Sequence, residues 1–374
     1  MTKRQMPETG DMKAKCPTPA DQGDPALTAL GEFGLIERIQ RRIRVRCAGA
    51  LVGIGDDAAL LAVEPGNRFL VTTDMLLDGV HFQWTWQCFR EVGRKAVAVN
   101  VSDIAAMGGR PLYALLGLAI PAAGVTLTAL DALLAGMEEE AETHGVTMVG
   151  GDTCASRSGL VLSVTLIGLP PSAGPVLRSG AKPGDGLWVT GTLGAAAAGL
   201  LALEQGFRPG APWPEILARP AWAGAAEEAA IQAALAAHLT PVPRVAVGRA
   251  LVGGATAMID VSDGITSDAG HLATGSRVGV KIRARQVPIH PGAAVVARLT
   301  GRDPLDLALR GGEDYELLFT ATADPRPALA PVASDLAVTR IGEVTAETGV
   351  PMLIHEDGRA EPLGGGFDHL RAAR

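Results

Sequence analysis

The chain has 374 residues, a length suited to two domains, and its 47% apolar and 20% charged residues exclude a wholly disordered polypeptide. Its 33 Lys and Arg against 40 Asp and Glu leave a net charge of −7. That balance argues against non-specific nucleic-acid binding, which depends on basic side chains displacing phosphate counterions. With 47 glycines and 4% aromatics, the composition predicts backbone running close to a ligand and a core built from small aliphatic residues.

In chain order, residues 1–30 mix Lys, Asp, Pro, Thr and Gly without the apolar core of a signal peptide. They read as a disordered leader on a cytoplasmic protein. Glu32–Ile43 carries Phe33, Ile36, Ile39 and Ile43 at helical spacing. Phe69–Thr73 reads as a strand that should stop at Asp74, and Glu91–Met107 as a helix. A strand is predicted over Leu112–Ile120, and a helix over Leu127–Thr143. The uncharged run from Pro111 to Leu130 is split by Pro121 and carries Gly117 and Gly124, so it does not make a membrane helix. Strands follow at Thr147–Gly150 and Leu160–Leu169, and the cluster Pro170, Pro171, Gly174 and Pro175 marks a domain boundary.

Beyond it, Leu187–Thr190 reads as a strand and Ala195–Leu203 as a helix. Residues 204–224, with four prolines and two tryptophans, read as a surface insertion. Helices are predicted over Ala225–His238 and Pro243–Val252, a strand over Ala257–Val261 and a helix from Ile265. Strands close the pattern at Leu317–Ala321 and Ile341–Val344. Strands and helices alternate in both halves, which indicates two α/β or α+β domains, 31–170 and 171–374. The four cysteines, Cys16, Cys47, Cys88 and Cys154, form no C-x-x-C pair and read as buried free thiols.

The informative feature is a set of aspartates at predicted element ends. Asp56 and Asp57 lie in GIGDDAALL, Asp74 in FLVTTD, Asp103 in NVSDIAAMGG, Asp152 in VGGDT, and Asp260 and Asp263 in MIDVSDG. One such residue is explained by capping a helix or turn. Seven, flanked by Gly or hydroxyl residues, point to carboxylates gathered around cations. Oxygen ligands with few His or Cys favour Mg²⁺, which commonly bridges carboxylates and substrate phosphates. No G-x-x-x-x-G-K-[ST] loop and no protein-kinase motif set is present. The residues alone therefore describe a Mg²⁺-dependent enzyme for a phosphorylated ligand on a non-P-loop scaffold.

In combination, the strings GEFGLIERI from Gly31, GIGDDAALL from Gly53, VTTDMLLDGVHF from Val71, KAVAVNVSDIAAMGG from Lys95 and VGGDT from Val149 are specific. So are RSGAKPGD from Arg178, IDVSDG from Ile259, GGEDYELLFT from Gly311 and GGGFDH from Gly364. The chain resembles the thiamine-monophosphate kinase family, within the superfamily that includes aminoimidazole ribonucleotide synthetase. The resemblance runs from Gly31 to His369 and implies transfer of the γ-phosphate of ATP to the phosphate of thiamine monophosphate, assisted by several Mg²⁺ ions. It implies metal-site positions at Asp57, Thr72, Thr73, Asp74, Asp103, Asp152, Asp260 and Asp263. It places ATP at Gly151, Asp152, Arg178 and Ser262, and the acceptor at His81, Glu313 and Phe367, with no covalent nucleophile. It also implies two α/β domains, the first pairing with its copy through a shared β-barrel in a homodimer. No nucleic-acid or membrane partner is expected.

Two positions depart from the family pattern. Phe367 stands where relatives often carry Tyr or Trp, and His144 stands where some relatives place Tyr near adenine. Another ATP-dependent synthetase of the superfamily is the nearest competing reading. However, Cys16 in AKCPTP does not fit the reactive position of the selenophosphate-making relatives, and the chain ends at Arg374 where the hydrogenase-maturing relatives carry Cys. A non-catalytic nucleotide or metal sensor would be expected to lose several carboxylates, and here all are present.

Overall fold

Along Val161–Leu169, buried Leu162, Val164, Leu166 and Gly168 alternate with more exposed neighbours, and this period of two seats the strand inside a half-covered sheet. The computed structural model describes residues 50–52, 56–64, 67–121 and 125–364, all within one compact unit, Ile43–Phe367. The predicted leader, the helix over 32–43, Cys16, Cys47 and Phe367 lie outside the described residues.

The first sheet contains β1 (Ala50–Val52), β2 (Ala59–Glu64), β3 (Asn67–Leu77), β4 (Arg110–Pro121), β5 (Thr147–Ser156) and β6 (Val161–Leu169). Their spatial order is β1-β2-β3-β6-β4-β5, antiparallel except for the parallel pair β4 and β5. Helix α1 (Phe89–Ala106) covers one face against β3 and β6, and α2 (Leu127–Thr143) packs on α1. The two helices approach closely because each presents glycine. A Cβ at Gly93 would stand 2.0 Å from the Leu133 carbonyl oxygen, and one at Gly136 would stand 2.0 Å from that of Arg90. Leu70, Ile104, Leu133, Leu162 and Leu166 fill the core beneath them.

The second sheet runs β13 (Ala360–Pro362), β12 (Met352–Ile354), β9 (Gly279–Arg283), β11 (Val338–Thr345), β7 (Gly186–Thr190), β10 (Leu317–Ala321) and β8 (Ala255–Asp260). Helices α3 (Ala195–Glu204), α4 (Ala225–Leu239) and α7 (Pro291–Thr300) share a core of their own. Around them lie α5 (Val245–Ala250), α6 (Ile265–Ser276), α8 (Pro304–Arg310) and α9 (Arg326–Leu329). The result is the mixed α/β, two-sheet architecture expected from the alternating pattern. Ala106 at the end of α1 packs with Met258 and Phe319, which ties the first half to the second sheet.

Several boundaries differ from the sequence reading. β3 continues to Leu77 and β5 to Ser156, so Asp74 and Asp152 lie inside strands rather than after them. Asp74 is accommodated because its backbone pairs with Val164 on β6, while its N–H donates to the Asn100 side chain of α1 at 3.1 Å. β1, β2, β9, β12, β13, α7, α8 and α9 had no counterpart in the pattern; all but α7 span seven residues or fewer, too short to show a clear period. Residues 204–224 are not wholly superficial, since Phe207 is buried in the α3–α4–α7 core. Cys88 and Cys154 are exposed, which corrects the expectation of buried thiols. No helix among the described residues is long and apolar enough to cross a membrane.

Candidate active site

Helix α1 is the hub of the candidate site. It is buried along most of its length, so its polar side chains must find partners inside the protein, and they do so across several elements. Asn100 donates to the Ala96 carbonyl and accepts from the Asp74 N–H. The Ser102 hydroxyl donates to Asp260 at 2.6 Å, joining α1 to the end of β8. Asp103 accepts from the Thr72 hydroxyl of β3 at 2.5 Å.

These contacts gather three carboxylates. One oxygen each of Asp57, Asp103 and Asp260 lies within 4.8 Å of the others. Arg178 grips the first of them bidentately, with Nε 3.0 Å and Nη2 2.8 Å from the two oxygens of Asp57. Asp56 turns elsewhere, accepting from the Arg178 backbone N–H, so Asp57 is the member of the pair that enters the cluster. Asp74 sits close enough to feel Asp57: burial and then the Asp57 charge push its pKa up to about 6. Burial, followed by Asp74, Asp260 and Asp57, raises Asp103 well above the carboxylate range. Burial and Asp57 do the same to Asp260. Burial, and after it the charge of Asp263 from the loop after β8, raises Asp268 well above the carboxylate range. Buried carboxylates of one sign that hold each other's protons on are a ready receptor for hard cations, and their all-oxygen donor set suits Mg²⁺.

Other predicted residues fall elsewhere. The Thr73 hydroxyl donates to the Val164 carbonyl on the sheet face opposite Asp103, as the strand period requires. Asp152 is exposed on the edge strand β5, where register through Gly117 and Ser163 places it on the face of Met75, not with Asp57. Gly151 has a packing reason to be glycine, since a Cβ there would stand 1.9 Å from the Leu116 carbonyl oxygen. His81 Nδ1 accepts from the Leu77 N–H, which fixes the turn after β3. His144 closes α2 and pairs with Glu140 at 3.0 Å.

The three carboxylates of GGEDYE separate cleanly. Asp314 accepts from the N–H groups of Gly194 and Ala196 and thereby caps α3. Glu316 is buried against Arg244 and Thr190. Glu313 follows Gly312, and its N–H donates to the Ser262 carbonyl at 2.7 Å, so the acceptor-side motif and the DVSDG loop are one structure.

Two family models match the chain: AIR synthase related protein, N-terminal domain, over residues 55–169, and its C-terminal domain over residues 182–353. The chain is 40% identical over 296 residues to thiamine-monophosphate kinase of Mycobacterium tuberculosis (strain ATCC 25618 / H37Rv), covering 79% of this chain and 81% of that one. It is 34% identical over 335 residues to thiamine-monophosphate kinase of Bacillus subtilis (strain 168), covering 88% and 95%. The chain belongs to the thiamine-monophosphate kinase family. A solved structure of this family, AaThiL complexed with AMPPCP and TMP, matches with a TM-score of 0.76 at 32% identity, over 92% of this chain and 98% of that one.

Within that family frame, the site holds three residues the sequence reading did not single out. Asp268, one turn into α6, is 1% exposed, and its Oδ2 has no hydrogen-bond partner among the described residues. Lys95 and His238 are buried against Glu313. A lysine and a histidine within helical stretches look like surface residues when no contact map is present, and only the unusual Lys in an otherwise apolar helix face hinted at more.

Proposed function

We propose that the chain is an ATP-dependent kinase that phosphorylates thiamine monophosphate to thiamine diphosphate, with ADP as the second product. The observation that carries this reading is the Asp57–Asp103–Asp260 cluster with Arg178 beside it, in a chain similar along 92% of its length to a structure holding AMPPCP and TMP. An oxygen of the acceptor phosphate attacks the γ-phosphorus in line, the bond to the bridging oxygen breaks, and the electron pair leaves with ADP. No protein nucleophile takes part.

The protein's work is positioning and charge. Asp57, Asp103 and Asp260, with Asp74 and Asp263 beside them, would hold Mg²⁺; bound Mg²⁺ supplies positive charge that offsets repulsion between two anionic substrates. The Arg178 guanidinium has the fork geometry for phosphate oxygens, and Gly151 and Ser262 are assigned to the nucleotide side with it; Asp152, on the sheet face opposite the cluster, is not counted among its ligands. Thr72 flanks the metal positions through its bond to Asp103, while Thr73 lies on the other sheet face. His81, Glu313 and Phe367 form the acceptor side. We assign metal, nucleotide and dimer contacts to residues 31–170 and completion of both substrate sites to 171–374. We further place the enzyme in the cytoplasm as a homodimer. Exposed Met75 and Tyr113, on the sheet face opposite α1, support pairing with a second copy through a shared barrel.

The test is incubation with ATP, Mg²⁺ and thiamine monophosphate, with the products identified by chromatography and mass. Thiamine diphosphate and ADP should appear in equal amounts, and free thiamine, which lacks the attacking phosphate, should be a poor acceptor. ADP formation without thiamine diphosphate rules the reading out.

A further inference from the structure

Lys95 is among the largest fully buried side chains of the protein, at 1% exposure. An ammonium group in such a place is costly unless paired. Its Nζ lies 2.8 Å from Glu313 Oε1. The other oxygen of the same carboxylate, Oε2, lies 3.1 Å from Nδ1 of His238, which is 4% exposed in the last turn of α4. Two elements from opposite halves of the chain thus clamp one carboxylate, one on each oxygen. The Glu313 backbone is held as firmly. It sits at φ 57, a left-handed conformation uncommon for a residue with a side chain, and the preceding Gly312 lies so close to Ser262 that a Cβ there would stand 2.5 Å from its carbonyl oxygen. Non-glycine residues kept in this conformation tend to mark functional sites.

Of the three side chains, only Glu313 reaches solvent, at 28% exposure. A carboxylate has about four lone-pair sites, and the clamp uses two. We infer that Lys95 and His238 are positioning residues, which clamp Glu313 so that its remaining lone pairs face the cationic, N–H-bearing ring system of the acceptor. The inference rests on the proposed acceptor role of Glu313.

The charges agree with the geometry. Burial would raise the Glu313 pKa, but Lys95 and His238 outweigh it and keep the group ionised, well below the usual carboxylate range. Burial and Lys95 push the His238 pKa down, which favours a neutral ring whose Nδ1 lies 3.1 Å from Oε2. The clamp is therefore one cation, one anion and one neutral imidazole. It leaves a carboxylate that accepts hydrogen bonds and carries little surplus charge to attract a free metal ion. A merely structural ion pair would need neither the third partner nor the left-handed backbone.

The test compares Lys95→Met, His238→Leu, His238→Asn, Glu313→Gln and the double variant Lys95→Met/Glu313→Gln. Each is measured for KM toward thiamine monophosphate, KM toward ATP, kcat and melting temperature. Lys95→Met, His238→Leu and Glu313→Gln should each raise the acceptor KM about tenfold, the scale of one charge-assisted hydrogen bond, while the ATP KM stays within about twofold. His238→Asn should recover most of the loss, because its amide N–H stands in for Nδ1. The double variant should regain the stability lost in Lys95→Met, since no unpaired charge stays buried, but not the acceptor KM.

A double variant with wild-type acceptor KM, or both KM values rising together, overturns the inference. Should Lys95→Met not fold, the His238 pair decides: equal acceptor KM in His238→Leu and wild type overturns the clamp alone. A wild-type protein that neither binds nor phosphorylates thiamine monophosphate overturns the proposed function itself, and the clamp with it.

Discussion

Asp103 shows how one residue carries two opposed demands. Its carboxylate is surrounded by Asp74, Asp260 and Asp57, and the Thr72 hydroxyl donates to it. The same repulsion that destabilises the metal-free fold makes the cluster a receptor for cations. Asp103→Asn keeps an acceptor oxygen for Thr72 and removes one charge. It is expected to lower kcat about a hundredfold or more, because charge stabilisation by a bound metal contributes several kcal/mol to the transition state. Melting in the absence of Mg²⁺ should instead rise, the trade between stability and function seen where strain serves a site. Steady-state kinetics at saturating Mg²⁺ beside a melting curve check both, and near-wild-type kcat would remove Asp103 from the site. This residue was legible as a carboxylate in a Ser-Asp motif; its neighbours across β3 and β8 were not, because they are 31 and 157 positions away in the chain.

At the scale of elements, the site depends on where α1 sits. The helix delivers Lys95, Asn100, Ser102 and Asp103 to four different partners, and its height over the sheet is set by the glycine contacts with α2. Gly93→Ala would drive a methyl into the Leu133 carbonyl, and backbone cannot rotate away as a side chain can. Overpacking of this kind costs about 1–3 kcal/mol. The expected result is a melting temperature lower by several degrees, at about 2–4 °C per kcal/mol for a large chain. Turnover should fall with it as α1 is displaced. Scanning calorimetry measures the first effect, and an unchanged melting temperature would show that the helices separate at little cost. The helix itself was readable from its apolar spacing, and so was α2. Their close crossing was not, since glycine in a helix reads first as a weak helix former.

For the whole molecule, pH and metal should act against one another. The Asp74 pKa is raised from 3.8 to about 6, and that of Asp56 from 3.8 to about 7, burial leading in both and Asp57 adding to it. Between the ordinary and the raised values the native state binds more protons than the unfolded chain, so stability falls as pH rises. Below the ordinary value both states are protonated, so stability no longer changes with pH through these groups and the part lost at higher pH is fully present. The metal-free protein should therefore melt several degrees lower at pH 8 than at pH 5.5, and Mg²⁺ added at pH 8 should reverse the loss. A melting temperature that is flat across that window, or unmoved by Mg²⁺, would count against an ionisable metal-binding cluster. A second prediction concerns assembly. Tyr113→Glu places a charge on the exposed sheet face and should shift the protein toward monomer in sedimentation velocity, with the melting temperature of the monomer little changed, because Tyr113 packs against no described core. A monomeric wild type would dismiss the shared barrel.

Fold class, carboxylate chemistry and family were legible in the residues, because alternating strands and helices and ordered motifs are local or collinear properties of a chain. A Mg²⁺ site for a phosphorylated ligand followed from aspartates too numerous for capping, and phosphoryl transfer from the family resemblance of the motifs that hold them. Which carboxylates meet was fixed by folding. Asp57, Asp103 and Asp260 converge, while Asp152 and the Thr73 hydroxyl lie on the other sheet face, since a strand's period of two sends neighbouring residues to opposite sides. Folding also decided that Glu313, Asp314 and Glu316, nearly adjacent in one motif, serve a clamp, a helix cap and a buried ion pair. The physical reason is common to all of these cases. Charge and burial are properties of what surrounds a side chain, and those surroundings come from segments hundreds of residues apart, which folding alone brings together.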